Sequence, residues 1–185
     1  MSAASTGDWI EVRRDLVVTT VPAGAPARLP SGSLVRIVHV LGGSVTVAIE
    51  SGVLVRVNGE DRDALGLEPA ERNVALAASH APFHMDRVTE ALQSVYDPEI
   101  PVSIVELGLV YRCEEVELPD GRRRIEIDMS MTAPGCGMGD VLRADAAKAV
   151  DAVSGVDEVA VELVFDPPWS LDRMSEAARL EVGLF

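Results

Sequence analysis

Asp128-Met-Ser-Met-Thr-Ala-Pro-Gly-Cys136-Gly-Met-Gly-Asp140 decides how the second half of this chain folds. Ahead of it Ile125, Ile127, Met129 and Met131 alternate with Glu126, Asp128 and Ser130, the period of a strand with one buried face. Behind it Val141, Leu142, Ala146, Ala149, Val150 and Val153 recur at helical spacing and give one apolar stripe. Ala133-Pro134-Gly135 breaks both patterns, so Cys136 is expected at or just before the first helical turn. Unbonded N–H groups and the positive end of the helix dipole favour a thiolate there. The competing reading is a small buried apolar residue, because cysteines outside disulfides are among the most buried residue types.

Working toward the N-terminus, Arg122 to Met131 pairs with Leu109 to Leu118 across Pro119-Asp120-Gly121, a hairpin turn. Cys113 lies mid-strand and reads as a packing residue. Val88, Ala91, Leu92, Val95 and Tyr96 define a helix for which Asp86 is the expected N-cap. Pro98 disfavours the α region at Asp97, so this helix is expected to end about there. The break leaves Asp97-Pro98-Glu99-Ile100-Pro101, a stiff acidic corner whose two carboxylates cannot both hide in a core. Toward the C-terminus, Val159, Val161, Leu163 and Phe165 form a last strand. Asp166-Pro167-Pro168 ends it, and Ser170 is expected to cap a short helix carrying Leu171, Met174 and Ala178. The order α-β-β-α-β-α predicts a three-stranded mixed sheet with helices on one face.

The first half reads differently. Residues 1–15 carry little pattern and are expected to be partly disordered. Leu16–Val21, Leu34–Leu41, Val45–Glu50 and Val53–Val57 are strands, with Pro- and Gly-rich sequence up to Gly32 read as a bend. Gly42-Gly43, Ser51-Gly52 and Asn58-Gly59 are read as hairpin turns. About four strands in a small β-meander or barrel follow, with no helix long enough to cover them. The fold class is therefore α+β: an N-terminal β-rich domain, residues 1–80, followed by an α/β domain, residues 81–185, with the boundary near residue 80.

At 185 residues with 48% hydrophobic and 25% charged side chains, the chain has the balance of a soluble globular protein. A net charge of -14 argues against nucleic acid, whose phosphates require a basic face. Arg122-Arg-Arg124, the only basic run, reads as solvated charge at a strand end. No apolar run reaches a membrane span and no signal peptide is evident, so the expected compartment is the cytoplasm. In that reducing setting Cys113 and Cys136 are not expected to pair. Asp61 and Asp63 lack the later glycine and glutamate of a calcium loop and read as turn acids. His39 reads as a packed strand residue, and His80 and His84 as surface residues.

Two separated motifs carry a family resemblance. Val95-Tyr96-Asp97-Pro98-Glu99-Ile100-Pro101-Val102-Ser103-Ile104-Val105-Glu106-Leu107-Gly108-Leu109-Val110-Tyr111 and Met131-Thr132-Ala133-Pro134-Gly135-Cys136 resemble the signatures of the family holding SufT-type iron–sulfur cluster assembly proteins, PaaD-like proteins and the eukaryotic cytosolic assembly factors. The match extends through Pro167-Pro168-Trp169 and Met174 to Arg179. Leu41–Val47 and Asp61–Gly66 resemble the N-terminal extension of the SufT subtype. Where the family often has proline after the signature cysteine, this chain has Gly137, which loosens the expected helix start.

The resemblance implies that Cys136 is the functional thiol and metal ligand, in a pocket shared with Asp97, Glu99, Thr132, Pro134 and Gly135. It implies an accessory role in the SUF system: no stable cofactor, a transient iron–sulfur cluster or iron as cargo, and no turnover. The implied partners are iron–sulfur assembly proteins and client apoproteins, with a homodimer as one way to complete a cluster. A cluster is usually held by four thiolates, which one cysteine cannot supply. Two alternatives remain open. One is a pure adaptor with a structural Cys136, the other a thiol-dependent enzyme drawing its base from His39, His80 or His84.

Overall fold

In a computed structural model of the chain, which describes residues 9–68, 82–133 and 135–184, the period-2 run ahead of Cys136 is the middle strand of a three-stranded sheet. The described residues fall into two units, 9–68 and 82–184, each with its own core. The boundary expected near residue 80 lies outside the described residues.

In the first unit six strands, β1 (Trp9–Glu11), β2 (Leu16–Val21), β3 (Pro26–Leu29), β4 (Leu34–Leu41), β5 (Ser44–Ile49) and β6 (Leu54–Val57), form one antiparallel sheet in the order β1-β4-β5-β6-β2-β3. Two of these correct the expected four. β1 occupies a stretch read as patternless, because three residues are too few to show a period. β3 begins at Pro26 inside the stretch read as a bend, and proline is tolerated at the first residue of an edge strand. Asn58-Gly59 is a further correction. Asn58 precedes a 3-10 helix, Gly59–Leu65, rather than closing a hairpin, and this helix buries Ala64 and Leu65 in the core with Val35, Ile37, Val45, Val47, Val55 and Val57. Asp61 and Asp63 sit on it and clamp Arg14 at 2.8 and 2.7 Å, which accounts for both acids.

The second unit opens with α1 (Met85–Gln93), followed by β7 (Val110–Glu117), β8 (Arg123–Met129), α2 (Gly139–Asp151), β9 (Glu158–Leu163) and α3 (Glu176–Glu181). β7 and β8 are antiparallel, β8 and β9 parallel, so the sheet is mixed with β8 central. Ile125, Ile127 and Met129 are buried with Val88 and Leu92 of α1 and Leu142, Ala146 and Val150 of α2. The alternate residues make an ion-paired outer face. Arg112 bonds Asp128 at 2.7 and 3.1 Å and reaches Glu114 and Glu126, while Arg124 reaches Glu126 and Glu158. The arginine run is thus neutralised locally: Arg122 pairs with Asp120, and Arg123 with Glu115.

Three helix boundaries differ from expectation. His84, not Asp86, is the N-cap of α1: its ring Nδ1 accepts the Asp86 N–H, and the helix begins two residues earlier. α1 stops at Gln93, where Ser94 turns its hydroxyl back to the Ala91 carbonyl. At the C-terminus Ser170 precedes only a 3-10 turn, Leu171–Arg173, and the capping hydroxyl belongs to Ser175, which accepts the Ala178 N–H at 3.0 Å.

The C-terminal segment clasps the loop between the acidic corner and β7. Trp169 Nε1 donates to the Leu107 carbonyl at 2.8 Å, the Ser175 N–H donates to the Glu106 carbonyl at 2.9 Å, and the Ser175 hydroxyl donates to the Glu106 carboxylate. The Arg173 guanidinium lies 3.7 Å from the Tyr111 ring centroid. Gly108 makes this fit possible, because a Cβ there would overlap the Arg173 carbonyl, and its φ of 67° is itself unfavourable for other residues. Gly121 has a similar φ of 81° but nothing within 4 Å of an added Cβ. Gly121→Ala should therefore cost about 1 kcal/mol, the left-handed backbone alone. Gly108→Ala should cost about 2–4 kcal/mol because backbone must move as well. Denaturant melts of the two variants test this, and equal losses would show that the clasp yields freely.

Candidate functional site

The acidic corner is a turn closed on itself. The Asp97 N–H donates to the Val102 carbonyl at 3.2 Å, Tyr96 and Ser103 form an antiparallel bridge, and Asp97 Oδ1 accepts the N–H groups of Glu99 and Ile100 at 2.8 and 3.0 Å. The two carboxylates part company as burial requires: Asp97 is 7% exposed, whereas Glu99 faces solvent. Burial pushes the Asp97 carboxyl above its ordinary value, against the opposing pull of the two N–H groups. Beyond the turn Ile104, Leu107 and Leu109 are fully buried and fix the segment that Glu106 and Gly108 present to the clasp.

The cysteine loop begins where β8 ends. Ser130 donates its N–H to the Leu109 carbonyl at 2.8 Å, tying the end of β8 to the segment that follows the acidic corner. Met131 is buried, Thr132 half-buried and Ala133 exposed. Gly135 takes a φ of 77°, the conformation for which the chain needs glycine here. Cys136 donates its N–H to the Ala133 carbonyl at 3.3 Å and accepts the Gly139 N–H on its own carbonyl at 3.2 Å. α2 starts at Gly139, so the cysteine sits on the turn before the helix cap, Met138. This agrees with the loose helix start that Gly137 implies. Met138 and Gly139 are buried, and Gly139 admits Leu163 to 3.2 Å from where a Cβ would stand, which seats the helix start on β9. The Cys136 side chain is half-buried.

Thr132, Gly135 and Cys136 therefore share one loop, while Asp97 and Glu99 belong to a separate turn linked to it through Leu109 and Ser130. The hydrogen bonds that Asp97 accepts come from its own turn. Pro134 lies outside the described residues. Cys113 is half-buried on β7 opposite Ile127, and burial, reinforced by Glu114, pushes its thiol up. The two cysteines are not disulfide-bonded. Of the histidines, His84 caps α1, His39 is half-buried on β4 opposite Thr46, and His80 lies outside the described residues. Among the described residues no group of three or more His, Cys, Asp or Glu side chains is arranged to hold a metal ion, and no helix is long and apolar enough to cross a membrane. Sequence reasoning missed Ser175 as the partner of Glu106. A serine just before Glu176-Ala-Ala was the available signal for the cap, but not for its distant partner.

A three-stranded mixed sheet with Cys136 half-buried on the glycine-rich turn between the central strand and the following helix defines a small α+β unit. Residues 85–163 match the family model described as iron–sulfur cluster assembly protein. A Porphyromonas gingivalis protein named Fe-S protein maturation auxiliary factor is 41% identical over 96 residues, 52% of this chain and 88% of that one. Bacillus subtilis Fe-S protein maturation auxiliary factor YitW is 35% identical over 54% of this chain and 93% of its own length. The Staphylococcus aureus factor SufT is 32% identical over 49% of this chain and 98% of its own length. The chain belongs to the iron–sulfur cluster assembly protein family, and these relatives support the SufT type within it. The six-stranded unit lies outside the family match.

The raised Asp97 carboxyl gives a test of what that residue does. Its contribution to stability is largest below the unfolded value, about pH 3.9, and declines as pH rises through the folded-state value. Asp97→Asn keeps an acceptor for both N–H groups and removes the buried charge, so its stability relative to wild type should improve from acid to neutral pH. Asp97→Ala should lose about 1–2 kcal/mol throughout by orphaning both donors. Melts across this range decide it. An Asn variant as unstable as the Ala variant at neutral pH would mean that the charge itself is required.

Proposed function

We propose that this chain is an accessory factor of iron–sulfur protein maturation that holds a cluster or iron transiently at Cys136 and passes it to client apoproteins. The observation that carries this reading is the setting of Cys136: a half-buried thiol on a turn fixed by Gly135, Ala133 and Gly139, in the unit that matches the family. A soft thiolate suits iron and clusters, and the turn presents it without burying it in the core. Cys113, mid-strand with its thiol pushed up by burial, is the structural cysteine.

Four thiolates are the usual ligand set, so cargo at Cys136 draws its remaining ligands from a second copy, a partner or a small thiol. Incomplete ligation favours release, as a carrier requires. We assign this role to residues 81–185, with Thr132 and Gly135 on the Cys136 loop and Asp97 and Glu99 on the separate turn tied to it through Leu109 and Ser130. Asp97 acts mainly by holding its own turn. The relatives are named auxiliary factors, and in this reading the chain carries out no turnover reaction in the cytoplasm.

The test is anaerobic incubation of the full chain with ferrous iron and sulfide, followed by desalting and metal analysis. Wild type and Cys113→Ser should retain iron and sulfide to similar extents, and Cys136→Ser should retain neither. Equal retention by all three proteins would sink the assignment of Cys136.

A further inference from the structure

We propose that the exposed leucines of the C-terminal segment, Leu171, Leu180 and Leu184, dock a partner protein that offers an apolar groove rimmed by lysine and arginine. The surface uses none of the residues of the cysteine loop, so the proposal goes beyond the cargo role of Cys136. Its first support is where the unit leaves apolar area in water. Among the described residues of 82–184, the exposed large apolar side chains are Phe165, Leu171, Leu180 and Leu184, all beyond β9. Leu171 is 51% and Leu180 56% exposed.

The second support is that this segment is held in place. A loose tail could fold its leucines away; this one is pinned by Trp169 to the Leu107 carbonyl, by Ser175 to Glu106 and by Arg173 over Tyr111. Met174 ahead of α3 and Ala178 on it are buried, whereas Leu180 on the same helix is exposed. α3 ends in a glycine turn in which Gly183 and Leu184 donate to the carbonyls of Leu180 and Arg179, so Leu184 is also positioned.

Charge selects the occupant. The leucines alternate with exposed Asp172, Glu176 and Glu181, while Arg173 is turned onto Tyr111. Acidic side chains outnumber basic ones by more than two to one across residues 82–184. A second copy would bring like charge against like, whereas a Lys/Arg-rimmed groove pairs with these acids and receives the leucines.

A photo-crosslinking phenylalanine analogue at Leu180 or Leu184 of the full chain, irradiated in cells, identifies what lies against the surface. The captured protein is then purified and titrated with the wild type and with the Leu180→Ser/Leu184→Ser double variant, whose fold is checked by its melt. The proposal expects crosslinks inside an apolar groove flanked by Lys or Arg, affinity that falls with salt, and about a tenfold or greater loss in the double variant. Cys136→Ser should bind as wild type does. Crosslinks to a second copy or to an acidic surface, no protein crosslink, unchanged affinity in the double variant, or lost affinity in Cys136→Ser would each overturn it.

Discussion

The family unit turns on the absence of a side chain at position 108. There the Arg173 carbonyl occupies the space a Cβ would take, and the C-terminal segment can lie against the loop that joins the acidic corner to β7. Ile104, Leu107 and Leu109 anchor that loop from inside, while Trp169, Ser175 and Arg173 hold it from outside. Leu109 in turn receives the Ser130 N–H at the end of β8, six residues before the thiol. The corner, the C-terminal clasp and the root of the cysteine loop are thus one connected set of contacts. Rigid support of this kind suits a site that must present one thiol in one pose.

Electrostatics divides the same unit into parts with different tasks. The outer face of the sheet is stitched by Arg112 and Arg124 to acids on all three strands, so its charges are largely spent on each other. Asp97 is buried among the N–H groups of its own turn, and Glu99 beside it is left in solvent. The acids beside the exposed leucines of the C-terminal segment, Asp172, Glu176 and Glu181, stand outside that sheet network and face solvent.

Much of this was legible in the sequence wherever the signal was local and periodic. The alternation from Ile125 to Met131, the apolar stripe from Leu142 to Val150 and the Ala-Pro-Gly break between them placed β8, α2 and the cysteine loop correctly. Short or ambiguous signals failed: three residues at Trp9–Glu11 carry no period, Pro26 hid an edge strand, and Asn58-Gly59 fits a helix start as well as a hairpin. Asp86 and Ser170 are good caps by type, but His84 and Ser175 occupy the capping positions. The clasp was illegible because its partners stand 62 and 69 residues apart. Which of Asp97 and Glu99 is buried depends on the packing of that whole assembly, and composition does not encode it.

A carrier differs from an adaptor in that its thiol touches the cargo. The direct measurement is the rate at which an iron–sulfur cluster, loaded onto the full chain from a reduced donor, appears in an apo-ferredoxin acceptor followed by its visible absorbance. With wild type the acceptor should fill faster than from the donor alone, and Cys136→Ser should fall back to the donor-only rate while melting as wild type does. Transfer by Cys136→Ser at the wild-type rate would contradict the account and leave the chain an adaptor with a structural cysteine.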